Sequence, residues 1–200
     1  IKSEEWVCTK GEVDKVFLNL EETIKSIEYG NNRIHELLRN LNRFSKKGDG
    51  ENLPYDVREG IDSTLDLLSF KYKFGKMIKV IKEYSDIPML MCNPIEINQV
   101  LTNILSNGCQ AIMAEGWIKV STIFINSRII VKIGDSGGGI PQDIIDKIFQ
   151  PLFTTKWIEN GTGLGLFFSK QLVEKHNGNI SVENGESGAI FTITFPVSIL

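Results

Sequence analysis

Several absences narrow the reading of this 200-residue chain before any motif is considered. No apolar run approaches the ~20 residues that a membrane-spanning helix needs, so no membrane contact is expected from this segment. Positive charge is not in surplus: 22 Lys and Arg against 25 Asp and Glu leave a net charge of -3. Without a general basic field, nucleic acid is not an expected partner. Cysteine is scarce, and Cys8, Cys92 and Cys109 are scattered and odd in number. They offer neither a disulfide framework nor a zinc spacing, and they agree with a reducing cytoplasm. Histidine is scarcer still, with His35 and His176 alone. The first residues lack the basic start and apolar centre of a signal peptide. The chain opens on Ile1, not Met, and is expected to be a fragment of something longer. What is present, 42% hydrophobic and 24% charged residues, is the composition of a folded domain.

Proline is also missing between residues 12 and 45, and there an apolar stripe runs unbroken. Val13, Leu20, Ile27, Ile34 and Leu41 recur every seven residues, with Phe17, Ile24 and Leu38 interleaved. Alternating spacings of four and three make the seam of a coiled coil or helix bundle. Asn31 is the one polar seam residue, a device that fixes register or partner number at some cost in stability. Such a helix cannot bury its stripe alone, and a second copy of the chain, or a helix missing from it, is the expected partner. The alternative is a helix packed along its own domain.

The expected organisation is an end segment over 1–11, a dimerisation helix over 12–45, a polar linker over 46–52 and a mixed domain over 53–200. In the last part, helices are predicted at 56–70, 94–114 and 164–176. Strands are predicted at 77–83, 117–125, 128–133, 180–183 and 189–195. The pattern suggests an α+β fold, a two-layer sandwich with a mixed sheet and helices on one face.

Three stretches carry chemistry. The helix PIEINQVLTNILSNGCQAIMA sets Ile97, Val100, Leu101, Ile104 and Leu105 on one side. Opposite them stand Glu96, Gln99, Asn103, Asn107 and Gln110. A solvated face normally carries Lys and Glu; beyond Glu96 this one has neutral amides. Asn103 and Asn107 are four apart and project together. Amide oxygens suit a hard cation such as Mg2+, which keeps waters and phosphate oxygens as its other ligands. The second stretch, IVKIGDSGGGIP, runs a strand into Asp135 and three glycines. It reads either as a tight turn or as an acceptor for an amine of a planar base, with bare backbone beside it. The third, NGTGLGL, begins a helix in poor helical material. Leu166 stands where the dinucleotide fingerprint needs glycine, and no Lys-Ser/Thr follows as in a P-loop. A helix start of this kind still offers free N–H groups and a positive dipole end to an anion. Lys156 lies just before it as a further charge.

Taken in order, these motifs resemble the ATP-binding catalytic domain of two-component sensor histidine kinases, in the ATPase superfamily shared with DNA gyrase and MutL. NILSNGCQA is similar to the N box and DSGGGI to the first glycine box. IFQPLFTTK is similar to the F box and GTGLGL to the second glycine box. The resemblance implies ATP and Mg2+ as cofactors. It implies Asn107 on the metal with Asn103 beside it, and Asp135 on the adenine amine. Gly137 and Gly139 would shape the base pocket. Thr162, Gly163, Leu164, Gly165 and Leu166 would supply phosphate-binding backbone. Phe153 and Lys156 would border a short lid, of the type found in nitrogen-regulator kinases. Asn103 and Lys156 are the candidate catalytic positions. Hydrolysing members of the superfamily carry a glutamate base where Asn103 stands, and an amide cannot take a proton from water. Slow hydrolysis and transfer of the γ-phosphoryl are therefore expected. Gly108 departs from the usual alanine of the N box.

The resemblance also implies a homodimer through residues 12–45 and a response-regulator receiver domain as partner. The acceptor histidine is less clear in the chain. HELLRNL shares His35, Glu36 and Leu41 with the acceptor box, but Asn40 replaces its proline. The surrounding RIHELLRNLNRFSKK is similar to the second helix of the dimerisation domain, which places the acceptor upstream of Ile1 and leaves His35 a minor candidate. His176 reads as structural, near a helix C-terminus. An ATP-binding dimeric scaffold without transfer, and a true ATPase, remain as alternatives.

Overall fold

The computed structural model describes residues 10–45, 51–72, 77–155 and 161–197. The chain divides into two units. One comprises Ile1–Lys47 with Lys156–Thr162, and the other Gly48–Thr155 with Gly163–Leu200.

The first unit is dominated by one helix, α1 (Lys10–Ser45). Its proline-free sequence lets the 3.6-residue repeat run for 36 residues. The apolar stripe stands in solvent: Phe17, Leu20, Ile24, Ile27 and Ile34 are each more than half exposed. Asn31 on the same seam is exposed too. The side chains of Val13, His35, Leu38 and Leu41 lie outside the described residues.

The second unit is the α+β sandwich. Its elements are β1 (Leu53–Tyr55), α2 (Val57–Tyr72), β2 (Met77–Tyr84), β3 (Leu90–Cys92), α3 (Pro94–Ala111), β4 (Glu115–Ile125), β5 (Arg128–Asp135), α4 (Gly165–Lys175), β6 (Asn179–Asn184) and β7 (Ala189–Pro196). The main sheet has the order β2-β4-β5-β7-β6. β2 runs parallel to β4, and the other neighbours are antiparallel. The β4–β5 turn uses Asn126 (φ 52) and Ser127 (φ 57), both left-handed as a two-residue type I′ hairpin requires. That register makes Asp135 the last residue of β5, opposite Ile118. Strands alternate cleanly, so Ile118, Val120, Ile129, Val131, Ile133, Ile193 and Phe195 are all buried on one side. Against them lie Val57, Ile61, Leu65 and Leu68 of α2, Ile97, Leu101, Ile104 and Leu105 of α3, and Leu172 and Val173 of α4. Each such side chain contributes about 1.5–3 kcal/mol by leaving water.

Two differences from the sequence expectation have local causes. β1 and β3 form a small antiparallel pair of three residues each, too short to show alternation, with Pro54 opposite Met91. The helix predicted over 94–114 ends at Ala111, because Ile112 turns extended (ψ 122) and is buried there. At the far end of the layer, Glu96 of α3 accepts from Lys175 Nζ at 2.6 Å and pairs with His176 Nε2 at 3.0 Å. This ion cluster joins the start of α3 to the end of α4.

Candidate functional site

α3 is the wall on which the site is built. Its start is well formed: Asn93 accepts from Ile95 N–H at 3.0 Å, Pro94 opens the helix, and Glu96 lies in the first turn. The apolar side of α3 is locked into the core, so the amide side faces the chain's glycine-bearing segments.

Asp135 is 6% exposed. Its Oδ1 accepts from Gly137 N–H at 2.8 Å. Gly108 of α3 packs directly on it: a Cβ at Gly108 would stand 3.3 Å from the Asp135 Cβ and 2.9 Å from Ile118 Cδ1. Glycine at 108 therefore lets helix and strand approach closely. On the other side Gly188 packs on Asp135, whose carbonyl oxygen would be 2.0 Å from any Cβ there. The loop after Asp135 is equally fixed. Gly137 sits against Ala111, leaving no room for a side chain (2.4 Å). Gly138 (φ 87) and Gly139 (φ 79) take left-handed conformations. Asn184 at the end of β6 clamps the loop at both poles of one residue. Its Oδ1 accepts from Ile140 N–H at 2.8 Å, and its Nδ2 donates to Ile140 C=O at 2.7 Å.

The start of α4 is built differently. Gly163 (φ 69) packs on the backbone of the F-box segment: a Cβ would meet the Leu152 carbonyl carbon at 2.5 Å and the Phe153 oxygen at 2.7 Å. Leu152 is itself left-handed (φ 64), and Phe153 is half-buried against the core. Leu164, which precedes the helix, is buried and supplies no side-chain cap. The first turn of α4 contains no acidic residue. Its leading N–H groups thus receive no side-chain cap from Leu164 and face no acid of their own first turn.

The amide face of α3 is divided between two uses. Asn103 Nδ2 donates to Gly165 C=O and to Ser169 Oγ, both at 3.1 Å, and so bonds α3 to the first turn of α4. Asn107, one turn on, is half-buried. No group of three His, Cys, Asp or Glu that could hold a metal occurs among the described residues. A cation here would rely on amide oxygen, on waters and on the ligand's own oxygens, an oxygen set that a hard cation such as Mg2+ accepts and to which Asn107 could contribute.

Two segments far apart in sequence therefore meet one helix, and one of them meets it twice. The start of α4 meets it at Asn103, Asp135 meets it at Gly108, and Gly137 of the same loop meets it at Ala111. These contacts span about 12 Å of helix axis. Asn107 lies between them.

Other predicted positions fall elsewhere. Thr162 is grouped with the long-helix unit. Lys156 lies outside the described residues, as does the side chain of His35. His176 is tied to Glu96 and 7% exposed at its side chain, which fits its structural reading. Asn184, Gly188 and Ser169 escaped sequence reasoning. Each acts through a partner more than forty residues away, and no local spacing signals that. Cys92 is fully buried, and that burial, with Glu96 nearby, pushes its thiol up to about 12, away from thiolate character.

A family model described as histidine kinase-, DNA gyrase B- and HSP90-like ATPase matches residues 92–199. Sporulation kinase E of Bacillus subtilis (strain 168) is 35% identical over 143 residues, covering 70% of this chain and 19% of that protein. The sensory histidine kinase/phosphatase NtrB of Rhodobacter capsulatus is 29% identical over 180 residues, covering 83% of this chain and 50% of that protein. Among solved structures, the nucleotide-free catalytic domain of histidine kinase ThkA is similar with a TM-score of 0.67 and 31% identity. That match covers 73% of this chain and 95% of the domain. The chain spans no more than half the length of the curated relatives named here. No helix among the described residues is long and apolar enough to cross a membrane.

Proposed function

The chain belongs to the histidine kinase-, DNA gyrase B- and HSP90-like ATPase family and carries the ATP-binding catalytic domain of its sensor histidine kinases; from that premise we propose that it binds Mg-ATP and gives the γ-phosphoryl to a histidine. The acceptor belongs to a dimerisation domain, and the phosphoryl passes on to a response-regulator aspartate. The observation that carries this reading is the convergence of the two glycine segments and Asp135 on one amide-bearing helix.

In this reading the buried Asp135 accepts from the exocyclic amine of adenine. The fixed loop of Gly137 and Gly139 gives the base a bare backbone surface. Thr162, Gly163, Leu164, Gly165 and Leu166 present N–H groups to the phosphates, with the helix dipole behind them. Phe153 and Lys156 border the lid, and Lys156 adds a point charge. Asn107 holds Mg2+, which when bound neutralises charge on the phosphate oxygens. Asn103 is not a general base. Its amide has no proton affinity to activate water, and its nitrogen is bonded to α4. Catalysis then rests on positioning and electrostatics, and the γ-phosphoryl is kept for transfer.

The exposed stripe of α1 supports homodimerisation, with Asn31 setting register. The expected setting is the cytoplasm. His35 remains the acceptor candidate within the chain.

The test is incubation with γ-labelled ATP and Mg2+, alone and with a supplied acceptor-helix domain. Label on the supplied histidine is the expected result, and label on His35 would move the acceptor into this chain. Nucleotide binding with neither label nor phosphate release would favour a scaffold; rapid phosphate release would favour an ATPase. Asp135→Asn is expected to weaken ATP binding about 10- to 100-fold, as loss of a charged acceptor does.

A further inference from the structure

Ser169 lies outside every nucleotide motif, one turn into α4, and its side chain is fully buried. Its hydroxyl donates to Gly165 C=O at 2.8 Å and accepts from Asn103 Nδ2 at 3.1 Å. The same Nδ2 also donates to Gly165 C=O. These bonds are mutually consistent in one arrangement. A backbone carbonyl only accepts, so the Ser169 proton is directed to Gly165. The hydroxyl oxygen is then left to accept, and both acceptors draw the nitrogen side of the Asn103 amide towards α4. A flipped amide would set its oxygen against the Gly165 oxygen. Gly165 also leaves the amide uncrowded, since even a Cβ there would stand 3.6 Å from Asn103 Cγ.

We infer that Ser169 is a positioning residue that holds Asn103 in this orientation, so that its carbonyl oxygen is the atom offered to Mg2+ or to the water around it. The inference rests on the Mg-ATP reading above. It also bears on why a glutamate base is unsuited to position 103. A carboxylate has no donor for the Gly165 carbonyl, and α4 is built to receive one.

The test uses the whole chain and the variants Ser169→Ala and Ser169→Thr. The side-chain NH2 signals of Asn103 are followed by ¹⁵N NMR without nucleotide. ATP affinity is then measured by calorimetry in Mg2+ and in EDTA. Wild type is expected to show a distinct, exchange-protected Asn103 NH2. Ser169→Ala should remove that protection and reduce the Mg2+-dependent gain in ATP affinity by about 3- to 10-fold, the loss of one hydrogen bond. Its affinity in EDTA should stay within about twofold of wild type. Ser169→Thr, which keeps the hydroxyl, should restore both properties. The inference is overturned if Ser169→Ala leaves the NH2 signals and the Mg2+ gain unaltered. It is equally overturned if affinity falls by the same factor with and without Mg2+, which is a structural effect alone. Failure of wild type to bind ATP at all would sink the Mg-ATP reading first, and this inference with it.

Discussion

The three helices of the sandwich begin in two different ways. α2 and α3 each start behind a side chain that accepts from the first turn. Asp56 Oδ1 takes Arg58 N–H at 2.9 Å, and Asn93 takes Ile95 N–H at 3.0 Å. Each also has an acid in that turn, Glu59 and Glu96. α4 has neither: its preceding residue is the buried Leu164, and its first turn is apolar. An uncapped start costs a helix about 1 kcal/mol, and only α4 accepts that loss. The difference teaches that α2 and α3 are finished by their own sequence, whereas α4 begins without a side-chain cap from Leu164, as the proposed phosphate site requires. The two nucleotide loops divide in the same way. The Asp135 loop is held on several sides by Ala111, Gly188 and Asn184, so the proposed base site is built on a fixed loop.

The largest effect is expected from breaking the approach to α4. Gly163→Ala places a methyl against the Leu152 backbone at a left-handed φ of 69. A loss of at least about 2 kcal/mol in stability, with loss of Mg-ATP binding, should appear in denaturant titration and calorimetry. Next comes the cap of α2. Asp56→Ala should cost about 1–2 kcal/mol and leave ATP affinity unchanged. Hydrogen bonds from Arg58 hold the Asp56 carboxyl below its ordinary value, against the opposing effect of burial. A depressed folded pKa gives stability that is present above the unfolded value of about 3.9 and is lost as pH falls through the folded one. Wild type should thus lose thermal midpoint below about pH 4, and Asp56→Asn should lose less over that range. Asn93→Ala should cost about 1 kcal/mol at α3, again without weakening nucleotide. The smallest change sharpens the comparison most. Gly165→Ala meets Asn103 only at ordinary contact and improves helix propensity by up to about 1 kcal/mol. Stability should rise while ATP affinity falls several-fold. Uncapped starts would then be shown to serve binding at the expense of stability.

Much of this was legible because it is local. Alternation gave the hairpin and the closing strands, and Asp135 with its glycines announced a strand end. GTGLGL named a helix start that refuses ordinary caps. The remainder depends on contacts that close in space. Gly188 resembles any turn glycine until Asp135 is found against it. Asn184 becomes a clamp only once β6 lies beside the Ile140 loop. Asn103 was read as part of the metal face, and the bonds from its nitrogen to α4 follow from the pairing of two helices. In the sequence Gly108 is only a departure from the usual N-box alanine; packing against Ile118 and Asp135 is what it permits.

The division between a proposed base site on a fixed loop and an open phosphate site can be tested at single amides. In ¹⁵N-labelled protein, adenosine and Mg-ATP should both shift the amides of residues 135–139. Mg-ATP alone should shift those of 163–167. Adenosine shifting the α4 start, or Mg-ATP leaving it unmoved, would contradict the account.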